Sequence, residues 1–162
     1  MVNFMETTIA LQVLLAPHQT VPFTSPLPIE VSVYNAASIP VTILDRNTPL
    51  ELGAGHLGVL KLHDAQTHEE VPIATISASR IQPPLPNEYI EIPSDTTVKR
   101  TLELRVDEKD IQVGREYTVR AEGLWSAVWY RALSEITEEE RDHSLNATTG
   151  EFLSNVGRIK VE

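Results

Sequence analysis

The sequence predicts an all-β protein, an antiparallel β-sandwich over residues 1–162 with one short helix near the C-terminus. Two observations carry this reading. Several short segments alternate apolar and polar residues with a period of two, and turn residues separate them. Only Ser134 to Leu145 reads as helical, and strands that are not interleaved with helices predict a sandwich rather than a doubly wound parallel sheet.

The elements follow in order. Ile9 to Leu15 is apolar but short and interrupted by Gln12, which suits a first strand. Glu6 precedes it and no Lys or Arg does, so it lacks the basic leader of a signal peptide. Pro22, Pro26 and Pro28 stiffen the connection that follows. Ile29, Val31 and Val33 then alternate with Glu30, Ser32 and Tyr34, and the turn Asn35-Ala36-Ala37-Ser38 leads to Val41–Leu44, a natural hairpin partner. Asp45 to Gly58 carries Gly53, Gly55 and Gly58 and reads as a mobile or sharply turned loop, with Leu50, Leu52 and Leu57 available to cover an apolar groove.

Pro83, Pro84 and Pro86 make Gln82 to Asn87 an extended, rigid, unpaired loop, because proline fixes φ and donates nothing to a ladder. Val98, Leu102 and Leu104 mark another strand, and Gly114 supplies the turn before Tyr117, Val119 and Ala121. Ser134 or Thr137 caps the helix, whose early glutamates 138–140 sit at its positive end. Phe152 to Val161 closes the sheet.

Composition narrows the function. The chain has 162 residues, enough for one core, with 41% hydrophobic and 22% charged residues. A net charge of -10 excludes a phosphate-binding surface, so no nucleic-acid or anionic-membrane partner is expected. No run of about 18 apolar residues exists to cross a membrane as a helix. With no cysteine there is no disulfide framework, thiolate zinc site or cysteine nucleophile. Together with the N-terminal reading, this makes a cytoplasmic monomer the expectation, with secretion left open.

Three stretches, VSVYNAASIPVTILDRNTPLE at 31–51, YIEIPSDTTVKRTLEL at 89–104 and VGREYTVRAEGLWSA at 113–127, occur in an order that resembles the pro-domain of fungal deuterolysin-type metallopeptidases. The resemblance implies an immunoglobulin-like sandwich and a habit of holding a zinc peptidase. The peptidase itself is absent: in His68-Glu69-Glu70-Val71-Pro72 a proline stands where the zincin motif needs its second histidine. A stand-alone relative of such a pro-domain points to a peptidase inhibitor or peptidase-binding protein, against the alternative of a non-enzymatic scaffold or ligand-binding protein.

The candidate inhibitory loop is Ser79, Arg80, Ile81, Gln82, Pro83 and Pro84. Arg80 in an extended segment followed by two prolines is similar to the reactive loops of Bowman-Birk-type serine-peptidase inhibitors, and a preorganised loop loses little ordering entropy on entering a protease cleft. Arg80 would fill an acidic-floored pocket. The stronger competing reading is a crossover in which Ile81 and Leu85 cover a core edge. Trp125 and Trp129, on one face of a regular strand with Ala127, form either a core anchor or an exposed binding patch, and the resemblance puts an inward strand there. His56, His63 and His68 lie close together with Asp64 and Glu69, but histidines at loop edges usually face solvent, and no metal or cofactor is assigned. No nucleophile elbow or other catalytic constellation is present, so no enzyme activity is expected.

Overall fold

The computed structural model describes residues 9–162 as strands β1 (Leu11–Leu15), β2 (His18–Val21), β3 (Leu27–Asn35), β4 (Val41–Leu44), β5 (Leu60–Asp64), β6 (Glu70–Val71), β7 (Tyr89–Ile92), β8 (Thr97–Leu104), β9 (Glu116–Trp129), β10 (Thr148–Leu153) and β11 (Gly157–Val161), with one helix, α1 (Glu138–His143), before β10. The leader reading that turned on Glu6 lies outside the described residues.

Two sheets face each other. The smaller has the order β1-β3-β8, and the larger runs β2-β11-β9-β4-β7, with β10 and β5 also paired to β9 and β6 to β5. Alternation makes the core: Leu11, Val13 and Leu15 of β1 and Ile29, Val31 and Val33 of β3 meet Tyr117, Val119 and Ala121 of β9 and Ile159 and Val161 of β11. The pairs are antiparallel except β2 with β11.

Strand β9 is the spine of the larger sheet. Val119 pairs with Gly157 of β11 and with Leu62 of β5, while Val128 pairs with Thr148 of β10 and Ile43 of β4, so β9 has partners on both edges at residues 117–119 and 128 and on one edge along most of the rest.

The expected hairpin between β3 and β4 does not form. β3 pairs with β1 and β8, and β4 pairs with β7 and β9, so the chain crosses from one sheet to the other between Asn35 and Val41. Asn35 secures that corner. Its fully buried amide donates to the carbonyls of Ile39, Ile92 and Pro93 at 3.0, 2.9 and 3.2 Å, and its Oδ1 accepts from Ala37 N–H at 2.9 Å. All four residues of β4 are buried, because both of its faces are covered.

The helix begins where its cap predicts. Thr137 Oγ1 accepts from Glu140 N–H at 3.1 Å, and Glu140 reaches back to the Thr137 N–H at 3.1 Å, a capping box. Ser134 belongs instead to a preceding 3-10 turn, Leu133–Glu135. The closing stretch is two strands rather than one. Ser154, Asn155 and Val156 separate them, and Asn155 bonds both the N–H and the carbonyl of Leu15 at 2.8 Å, replacing a ladder rung at the end of β1.

Candidate functional site

The candidate site grows from the residues that follow β4. Thr48 donates from N–H and Oγ1 to the Asp45 carbonyl at 3.0 and 2.6 Å, turning the chain sharply, and Asn47 takes a left-handed φ of 59° that its short polar side chain tolerates. This turn carries Asp45, Arg46, Asn47 and Glu51 beneath the segment 74–88, which crosses the surface with no strand between Pro72 and Leu85.

That segment is pinned at intervals. Ala74 N–H donates to the Arg105 carbonyl and Ile76 N–H to the His56 carbonyl, each at 2.8 Å. Farther on, the buried Arg46 donates from Nε to Glu88 Oε1 at 2.7 Å and from Nη2 to Glu88 Oε2 at 3.1 Å, while the same Nη2 donates to the Ile81 carbonyl at 2.6 Å. Glu88 also accepts from Leu85 N–H at 2.6 Å, which fixes the 3-10 turn Pro86–Glu88. One guanidinium thus holds the loop backbone at Ile81 and its exit at Glu88 together.

Arg80 forms the second clamp. Its guanidinium is paired with both carboxylate oxygens of Glu51 and donates to Asn47 Oδ1 at 3.0 Å. The side chain expected to reach into a partner's acidic pocket is therefore folded onto the turn that follows β4. Ser79, Ile81, Gln82 and Pro83 stand exposed and Pro84 is half-buried, while Ile76 and Ile81 each show 65% of their surface to solvent. The crossover reading, in which Ile81 and Leu85 cover a core edge, is likewise not what the structure has: both project outward.

Charge in this cluster is unevenly satisfied. The hydrogen bond from Arg46 holds the Glu88 carboxyl below its usual range, and the Glu51 partner raises the already high pKa of Arg80. Asp45 is different. Burial, reinforced by repulsion from Glu51 and Glu88, pushes its carboxyl up to about 7 despite both arginines nearby. Its Oδ1 is buried and has no hydrogen-bond partner among the described residues.

Trp125 and Trp129 do not form an exposed patch, since each is only 1% exposed. They do not share a face either. A register shift between Thr148 and Gly150 sets Thr148 opposite Val128 and Gly150 opposite Trp125, so β9 carries one extra residue there. The bulge reverses the alternation: Trp125 and Val128 enter the main core, whereas Ala127 and Trp129 join Leu44, Tyr89 and Ile136 in a second apolar cluster. Trp125 packs on Phe152 with centroids 4.9 Å apart, and Gly123 makes room for that ring, because a Cβ there would lie 2.7 Å from it. Trp129 donates from Nε1 to the Leu145 carbonyl at 2.8 Å.

The histidines are dispersed among structural roles. His63 lies in β5 opposite Thr118, His68 sits in the following turn at a left-handed φ of 64°, and Asp64 between them is committed to Arg115 and to the N–H groups of Gln66 and Thr67. Sequence reasoning missed Arg46, Glu51 and Glu88, whose pairings span 42 and 29 residues. The one local signal was Asp45-Arg46 directly after an apolar strand, where two opposite charges meet a core edge.

A protein of Arthroderma benhamiae described as an uncharacterized secreted protein is 32% identical over 134 residues, which is 82% of this chain and 68% of that one. Its description overturns the expectation of a cytoplasmic chain, which rested on the absence of cysteine and on the N-terminal composition. Among solved structures, the ASH/PapD-like domain 7 of human CEP192 aligns at 13% identity and a TM-score of 0.37, covering 100% of this chain and 93% of that one. AggA, the major subunit of aggregative adherence fimbriae type I of Escherichia coli, gives the same identity and TM-score, with 99% and 100% covered. The family model that matches residues 11–161 is that of an immunoglobulin-like domain. It spans every strand from β1 to β11, and this chain belongs to the immunoglobulin-like domain family.

Proposed function

We propose that the protein is a non-catalytic extracellular module that binds a protein partner through segment 76–85, with a peptidase as the partner class. The observation that carries this reading is the combination of outward apolar side chains, Ile76, Ile81 and Leu85, with a backbone clamped by Arg46 and Arg80. A segment ordered before it meets its partner gives up less conformational entropy on binding. The secreted relative supports an extracellular setting.

The clamp on Arg80 alters the expected specificity. With Arg80 engaged by Glu51, Ile81 is the exposed apolar side chain next to it, which suits a serine peptidase with an apolar pocket over one with an acidic floor. A residual-activity panel at stoichiometric protein tests this. Elastase-like enzymes are expected to lose activity and trypsin-like enzymes to keep it, with Ile81→Asp abolishing the effect. Inhibition of trypsin lost on Arg80→Ala would reinstate Arg80 as the contact, and inhibition of no class would leave the scaffold reading. The deuterolysin pro-domain resemblance adds a metallopeptidase arm, in which a sandwich edge covers the cleft and Ile81→Asp has no effect.

A further inference from the structure

We propose that the cavity beside Asp45 binds a primary ammonium group carried on an apolar stem. The cavity has a volume of about 720 Å³ and lies between the turn 45–56 and strand β8. That size suits a small ligand or a single long side chain. Leu50, Leu52, Ile90 and Leu102 supply apolar lining, and Asp45 lies in the wall.

Two independent observations converge on Asp45. It is 7% exposed, and its Oδ1 is closed to water with no hydrogen-bond partner among the described residues. A carboxylate in that condition either takes up a proton or needs a donor or a cation to hold its charge. Three carboxylates, Asp45, Glu51 and Glu88, meet two guanidiniums; Arg46 is committed to Glu88 and Arg80 to Glu51. Asp45 is the remaining negative charge.

The other charged groups around the cavity do not fill that role. Arg100 lines it but is exposed and donates to the Lys99 carbonyl at 2.9 Å, while Glu103 adds a further negative charge and His56 stands at the edge. Among the described residues no three His, Cys, Asp or Glu side chains gather to hold a metal ion, which favours a nitrogen cation over a divalent one. With Oδ1 closed off, Asp45 offers a ligand in the cavity its other oxygen only, which suits the point charge of an ammonium, whereas a guanidinium fork needs both oxygens of a carboxylate. The inference does not depend on partner binding by segment 76–85.

Carbon-13 NMR of the natural chain, following the Asp45 carboxyl signal, tests the site directly. At pH 8, n-pentylamine and N-acetyl-lysine methylamide are expected to shift that signal saturably and to lower its midpoint by about one pH unit or more. Affinity should fall roughly tenfold per pH unit below about 7, as protonation removes the charge. A response to the lysine derivative alone assigns the stem to a protein side chain; a response to both assigns it to ammonium groups in general. Asp45→Asn should bind at least tenfold more weakly. If that variant does not fold, the titration of the natural chain decides by itself. An Asp45 signal unmoved by both amines at about 20 mM, a free energy of only about 2 kcal/mol, or equal binding of neutral n-pentanol, would overturn the proposal.

Discussion

Arg46 is the most consequential side chain of the candidate site, because one guanidinium satisfies a carboxylate and a loop carbonyl at once. Its removal leaves Glu88, itself mostly buried, without its cation. Arg46→Met is expected to lower stability by about 3 kcal/mol, the usual consequence of breaking a buried pair from one side. Urea unfolding measures that loss, and limited proteolysis should begin to cut between residues 76 and 85. Arg80→Ala should loosen the same segment with a smaller loss, about 1 kcal/mol, because its pair with Glu51 is closer to solvent. Neither clamp was legible in the sequence. An alternating strand announces which side chains point inward, but no local pattern links position 46 to 88 or 51 to 80, since those pairs exist only after the chain has crossed between the sheets.

Among elements, the strands that alternate were legible and those that depart from alternation were not. β3, the later part of β8 and the first half of β9 bury one face each, so period-two patterning located them. β4 is buried on both faces and was assigned the wrong neighbour, while the irregularity in β9 was invisible because a bulge leaves composition unchanged. Deleting the exposed Ser126 tests the bulge. Removing the extra residue would leave a regular ladder in which Val128 still shares the face of Trp125, and Trp129 that of Ala127, so both clusters should persist with a fall of no more than about 3 kcal/mol, read by thermal melting. Where the segment 54–56 meets β8, a Cβ on Gly55 would lie 2.1 Å from the Glu103 carbonyl oxygen. Gly55→Ala must therefore lift that turn from the strand, with a loss of about 2 kcal/mol or more and faster amide exchange along β8.

For the whole molecule, carboxylates of opposite tendency set the pH response. Asp64, bonded to Arg115, and Glu140, bonded to Arg131, are both lowered to about 2. Their contributions are present above the ordinary carboxylate range and are lost as pH falls through about 2. Asp45 runs the other way, since its folded value of about 7 lies above its ordinary 3.8. It carries no penalty below about pH 4, an increasing one from 4 to 7, and a constant one above. Stability should therefore be greatest near pH 4 to 5. Asp45→Asn is expected to flatten the fall toward neutral pH and to stabilise the protein at pH 8 by roughly 2 to 4 kcal/mol, as urea unfolding at pH 5 and 8 would show. The parallel pairing of β2 with β11, His18 beside Arg158, has a consequence in time. A strand near the start of the sandwich has no partner until one of the last has been synthesised, so the larger sheet cannot be completed in the order in which it is made. Loop closure across nearly the whole chain places such a protein among slow folders, and a nascent chain stalled before residue 157 would leave β2 without its neighbour.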